Sequence, residues 1–156
     1  MKKQIVTVLT FMLLTVYTLP LPSFASVNSP KTQPPPPDKT RAVAPLSTLY
    51  LSSWGCSISQ QSSNTVLLSG YSEANVPVNK IWVTLYLQRW NGSQWVTISS
   101  GYKSTGYNTV SITGKQTLTV TPGYYYRTMG QHQCYKNGVY DPGQPAVSTS
   151  GYIYVN

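Results

Sequence analysis

Acidic side chains are nearly missing from this chain: Asp38, Glu73 and Asp141 stand against 11 lysines and arginines in 156 residues. Glycoside hydrolysis ordinarily takes two carboxylates across one cleft. Glu73 and Asp141 are the only acids beyond the Pro-rich N-terminal part, and both are expected in loops; Asp141 opens an Asp-Pro-Gly turn signal. A calcium site, which gathers several carboxylate or carbonyl oxygens, finds no such cluster. Histidine is scarcer still. His132 is the only one, so a zinc site lacks ligands, and a nucleophile–base pair would have to join His132 to Cys134, two residues along on the same strand face. That pair is lost if the thiol is oxidised. No phosphate-cradling glycine loop or dinucleotide fingerprint occurs. The expectation is a non-enzyme with no catalytic residue, no metal and no cofactor.

Long apolar runs are also absent after the first 25 residues. Lys2 and Lys3 supply a positive start, Ile5 to Leu19 is an uncharged apolar run of 15 residues, and Ser23-Phe24-Ala25 offers small residues at the positions a signal peptidase reads. The run is shorter than the ~20 residues of a spanning helix, and Pro20 and Pro22 close it. This predicts a signal peptide at 1–25 and a secreted, extracellular protein, with no membrane insertion after cleavage. Removal of the signal leaves 131 residues with nine basic side chains against three acids, a net charge of +6. The basic residues are scattered singly. They favour solubility and a loose attraction to anionic cell-wall polymers, and they form no patch of the kind nucleic acid requires.

Two cysteines, Cys56 and Cys134, remain. An even count in an oxidising compartment predicts one disulfide between them, which would contribute roughly 4 kcal/mol by restricting the unfolded chain.

Residues 26–46 carry Pro30, Pro34 to Pro37 and Pro45 with little to bury. They read as a disordered Pro-rich linker, its Pro34–Pro37 run in polyproline II. From 47 to 156 the pattern is β throughout. Thr, Val, Ser, Tyr and Ile recur, turn signals come about every ten residues, and no 3.6-residue period appears. Strands are expected at 48–59, 64–72, 80–90, 93–100, 108–113, 115–121, 124–135 and 147–155. That count suggests one all-β domain: an antiparallel two-sheet β-sandwich of immunoglobulin or fibronectin type. A monomer is expected.

Asn91-Gly92 between alternating runs predicts a two-residue hairpin turn pairing Trp90 with Ser93 and Leu87 with Val96. Ile81, Val83, Leu85 and Leu87 then share a core face with Val96 and Ile98. Trp82, Tyr86, Trp90 and Trp95 fall on the other face, at least partly exposed, and form the candidate binding surface. On 124–135, Tyr124, Tyr126, Thr128, Gly130, His132 and Cys134 share the face that turns inward.

The string from Ile81 through Leu-Tyr-Leu-Gln-Arg-Trp-Asn-Gly-Ser-Gln-Trp to Val96, with Gly123-Tyr-Tyr-Tyr-Arg127, Gly130-Gln-His132, a Lys-Asn-Gly turn and a terminal Ile-Tyr-Val, resembles DUF6147. This is a family of small secreted proteins from Bacillus-like Gram-positive bacteria. The resemblance spans roughly 48–156. It implies an extracellular single-domain protein and no activity. Four tryptophans and 12 tyrosines after residue 25, with few charges, fit a module that binds cell-wall or other extracellular glycan, or a protein surface. The alternative is a secreted bacteriocin-like antagonist, against which stands the absence of an amphipathic or apolar segment in the mature part.

Overall fold

Apolar and polar residues alternate along most of the chain after residue 50, and alternation is what a sheet with one buried face requires. The structure, a computed structural model, describes residues 29–37 and 47–156. The expected signal peptide at 1–25 lies outside the described residues. Six strands form: β1 (Leu51–Ser62), β2 (Thr65–Trp90), β3 (Trp95–Thr97), β4 (Tyr102–Thr119), β5 (Tyr124–Lys136) and β6 (Val139–Val155). All pairings are antiparallel and belong to one sheet of order β1-β2-β5-β6, with β3 and β4 also on β2.

The 26 residues of β2 organise the rest. Its first half pairs with β1 on one side and with the second half of β4 on the other. Its second half pairs with the first half of β4 and with β5. Between them the register against β4 jumps from Glu73↔Ser111 to Val78↔Thr109, so the extra β2 residues around Ala74–Pro77 bend the strand. β4 turns with it at Asn108, whose φ of 50° is left-handed. The hairpin therefore folds back over itself. Val66 and Leu68 from one half meet Val83, Leu85 and Leu87 from the other, with Tyr126 and Val155 completing the core. A second cluster joins Leu51, Val78, Ile81, Cys134 and Ala146. The expected sandwich of two distinct sheets is thus replaced by a single sheet curled around its core, because β2 and β4 run unbroken through the bend.

Gly70 and Gly114 are cross-strand partners where the halves come closest. A Cβ on Gly70 would lie 2.6 Å from Leu85 Cδ2, and one on Gly114 would lie 3.2 Å from Val83 Cγ1. Gly114 divides two expected strands in the sequence; in the fold it permits one strand to pass close to another.

No ladder is formed between β1 and β6. Side chains close that seam. Asp141, buried, accepts from the backbone N–H of Leu49 (3.0 Å), Tyr50 (2.7 Å) and Leu51 (2.7 Å). Further along, Thr128 Oγ1 on β5 donates to Ser57 O at 3.0 Å. Near the start of β5, the Tyr126 hydroxyl donates to Thr121 O at 2.7 Å, the contact of a tyrosine corner, eight residues before Cys134 instead of two.

Turns differ from expectation in an informative way. The two-residue turn with left-handed residues is Asn137-Gly138 (φ 49° and 86°), between Lys136 and Val139. At Asn91 the loop takes four residues. Asn91 Oδ1 accepts from the N–H groups of Ser93 and Gln94, and Trp90 pairs with Trp95. This register is two residues from the expected one, so faces are kept. The strand nevertheless stops at Thr97, and Val96 and Ile98 stay 37% and 43% exposed, outside the core.

The expected Cys56–Cys134 disulfide is not formed; both cysteines are free. Cys56 Sγ lies 3.5 Å from Thr128 O and Cys134 Sγ lies 4.0 Å from Asp141 Oδ2. Those stations are six residues apart along β5, roughly 20 Å at the strand rise, beyond any disulfide's reach. Thiol titration of the denatured protein should therefore find two thiols per chain without reductant, and finding none would contradict this arrangement. Asp141→Ala would leave three backbone donors at the seam without their acceptor. We expect a loss of about 3 kcal/mol or more, read as a lower urea midpoint at unchanged slope.

Candidate binding surface

The groups capable of chemistry are dispersed or sealed. Glu73 is on an exposed face of β2 opposite Ser53 and Ser111, while Asp141 is buried in the β1–β6 seam. They share no cleft. His132 is fully buried, its Nδ1 3.0 Å from Ser72 Oγ and its Nε2 2.7 Å from Ser148 Oγ. Ser72 in turn donates to Trp82 O at 2.9 Å. Burial pushes the His132 pKa down to about 4, so the ring is neutral at pH 7. Burial likewise raises the Cys56 thiol. It raises Cys134 to about 11, with the neighbouring Asp141 carboxylate adding to the effect. Neither thiol is a ready nucleophile. Among the described residues no three His, Cys, Asp or Glu side chains gather as metal ligands, and no helix is long and apolar enough to cross a membrane.

The four aromatic residues singled out in the sequence do lie on one face of the sheet, but they separate into different surroundings. Trp82 is only 7% exposed. Lys103 and Lys80 place their ammonium groups 4.6 and 5.5 Å from its ring centre, and Tyr140 packs edge-on at 6.2 Å. Tyr86 is half-buried, its ring against Gly101 and its hydroxyl 3.4 Å from Gln131 Oε1. Trp90 is 6% exposed. Thus Trp82 and Trp90 are buried where an exposed stripe was expected, because lysine stems and neighbouring rings cover them.

Trp90 and Trp95 instead begin a different row. Trp90–Trp95 centroids are 5.5 Å apart, Trp95–Tyr152 6.0 Å, Tyr152–Tyr125 5.8 Å and Tyr125–Tyr154 5.1 Å. The registers account for it. Tyr125 is opposite Tyr154, and Arg127 is opposite both Tyr152 and Gln88, so β2, β3, β5 and β6 present one face. Trp95 and Tyr154 are half-exposed and Tyr152 is 37% exposed. Arg127 stacks its guanidinium 4.5 Å from the Trp95 centroid and donates from Nε to Gln88 Oε1 at 2.8 Å; Gln88 Nε2 then donates to Thr97 Oγ1 at 3.2 Å. The result is a row of rings inclined to one another, with 42°, 86° and 46° between successive planes from Trp95 to Tyr154; Tyr125 is buried within it, and an amide and a guanidinium border it. Tyr125, Tyr152 and Tyr154 escaped the sequence reading because they join the tryptophans only through β5 and β6. The available signal was the alternation of Tyr152 and Tyr154 on the last strand.

A concavity of about 530 Å³ lies over β1, β2 and β4, lined by Gly55, Ser57, Ser69, Tyr71 and Glu73. It exists because Gly55 faces Tyr71: a Cβ there would meet the ring at 3.0 Å.

Residues 39–150 match the profile of DUF6147, described as a family of unknown function. No curated protein matches the chain.

His132 sets a pH dependence. Its folded pKa is below its ordinary value of 6.5, so between those values the unfolded chain binds the proton and the folded one does not. Its contribution is intact above about pH 6.5 and declines as pH falls toward 4, by about 3 kcal/mol at most. Urea midpoints measured across that range should fall in the native protein, and the His132→Gln variant should show a smaller slope.

Proposed function

The chain belongs to the DUF6147 family, a family of unknown function, and from that premise we propose that it is a secreted, non-catalytic module that holds extracellular glycan, cell-wall polymer in particular, on the row Trp95–Tyr152–Tyr125–Tyr154. The observation that carries this reading is the row itself: Trp95, Tyr152 and Tyr154 reach solvent, braced by the buried Tyr125 at ring spacings of 5.1–6.0 Å, with Arg127 and Gln88 beside them. Sugar rings present apolar C–H faces that stack on aromatic planes, while their hydroxyls seek amide and guanidinium donors. The half-exposed rings of Trp95, Tyr152 and Tyr154, with Arg127 and Gln88 beside them, offer both. The sealed His132 network, the raised thiols and the separated carboxylates favour binding over catalysis. The basic net charge would add a salt-sensitive attraction to anionic wall polymers.

The test is retention of the protein on isolated cell walls, before and after teichoic-acid removal, and on insoluble glycans at low and high salt. Retention that persists at high salt is the expected result. Trp95→Ala with Tyr154→Ala should weaken it by about tenfold or more, some 1.4 kcal/mol, with the urea midpoint of the domain monitored alongside. Binding that vanishes with salt or with teichoic acid would reduce the attraction to net charge, and equal retention of a folded double variant would sink the row as the site.

A further inference from the structure

Residues 29–37 lie against the domain at the end where the β2–β3 loop, the turn before β5 and the last strand meet. Lys31 donates its backbone N–H to Gly123 O at 2.8 Å. Its side chain runs over Gly123, where a Cβ would lie 3.0–3.1 Å from three of its carbons, and its ammonium sits 5.0 Å from the Tyr124 ring centre. The Thr32 methyl is 3.9 Å from the position a Gly92 Cβ would take. Pro35 is buried, and its carbonyl faces the Tyr152 hydroxyl at 3.5 Å. Gly92 and Gly123 both have positive φ, 102° and 92°. The two loops thus present bare backbone where the segment passes, and tyrosine rings on either side of it.

We propose that Gly92, Gly123, Tyr124 and Tyr152 form a recognition surface for an extended proline-rich segment, filled in cis by residues 29–37. Aromatic rings and close backbone contact suit such a segment, which carries little conformational entropy to lose and leaves its carbonyls free to accept. The seat is one that can be vacated. Thr32 Oγ1 is buried in it without a hydrogen-bond partner, a cost of about 1–3 kcal/mol against docking. A short tether supplies the segment at an effective concentration on the order of millimolar, enough to fill a weak site. Tyr152 belongs both to the aromatic row and, through its hydroxyl, to this seat, so a ligand that takes the Tyr152 hydroxyl competes with the docked segment. The docking itself does not depend on what the row binds.

The experiment is amide exchange by NMR on the full chain. In the unaltered protein the Lys31 N–H should exchange at least about tenfold more slowly than in the free peptide of residues 29–37, and this protection should not vary with protein concentration. Pro34→Gly with Pro35→Gly should remove it while core amides such as Val83 stay protected. Peptide 29–37 added to that variant at millimolar concentration should then shift the Gly92 and Gly123 signals. Free exchange at Lys31 in the unaltered protein would overturn the proposal. So would a peptide that leaves both glycines unmoved. Protection that rises with protein concentration would overturn the cis arrangement in favour of a second copy's segment.

Discussion

One carboxylate decides whether the sheet closes. β1 leaves β2 on one edge and never regains a ladder partner on its other side, where β6 stands across the core. Three successive amides at Leu49, Tyr50 and Leu51 would be orphaned there, and buried orphaned amides are what folded proteins avoid. Asp141 answers all three with two oxygens. Bonds to an ionised acceptor are stronger than those of a neutral ladder, and consecutive N–H groups make a natural anion seat. The arrangement also places Asp141 against Cys134 and sets the start of β1 over the second core cluster. In a chain with three acids, one of two within the β domain is spent on this.

The same scarcity explains the surface. With few carboxylates to meet, the cations turn to rings. Lys31 and Arg89 approach Tyr124, Lys80 and Lys103 cover Trp82, Arg127 stacks on Trp95, and Lys136 reaches Tyr50. Each such contact is modest, about 0.5–1 kcal/mol when exposed. Together they fix where aromatic surface is capped and where it stays open. Trp82 is capped on its outer side by two lysines; in the row from Trp95 to Tyr154, Arg127 covers Trp95, the Pro35 carbonyl meets the Tyr152 hydroxyl, and the rings lean on one another.

Much of this was legible beforehand, within limits that have physical reasons. The inward face of β5, from Tyr126 through Cys134, follows its period of two without a slip, since each step is dictated by burial. The core face of β2 from Ile81 to Leu87 was equally plain. What misled was punctuation. Pro77 and Gly114 look like strand ends, yet a strand that bends over its own continuation needs residues of this kind in its interior. Asp-Pro-Gly at 141–143 reads as a loop, but Asp141 pairs with Cys134 within β6. Asn91-Gly92 carried the stronger hairpin signal, while the two-residue turn formed at Asn137-Gly138, because the Asn91 side chain caps a wider loop. Cysteine parity suggested a bond that strand positions forbid. The aromatic row needed tertiary register: Tyr125 and Tyr152 are far from Trp95 in sequence and become neighbours only through β5 and β6.

The passage of β2 through the bend has a consequence for how such a domain can diversify. A protein built of two separable sheets can lose, gain or exchange one of them. Here both layers draw on the same strand, so neither has an independent existence. Removal of either half of β2 would strip its own layer of the central hydrogen-bonding strand and uncover the core face of the other layer. Insertions can be absorbed where no ladder is crossed, at Ser63-Asn64, in the loop after Trp90, before Tyr124 and between Pro142 and Pro145. Two of these sites, after Trp90 and before Tyr124, flank the aromatic end of the molecule. Lineages that keep the curled sheet intact are thus left to vary mainly at its rims, where recognition would change without touching the frame.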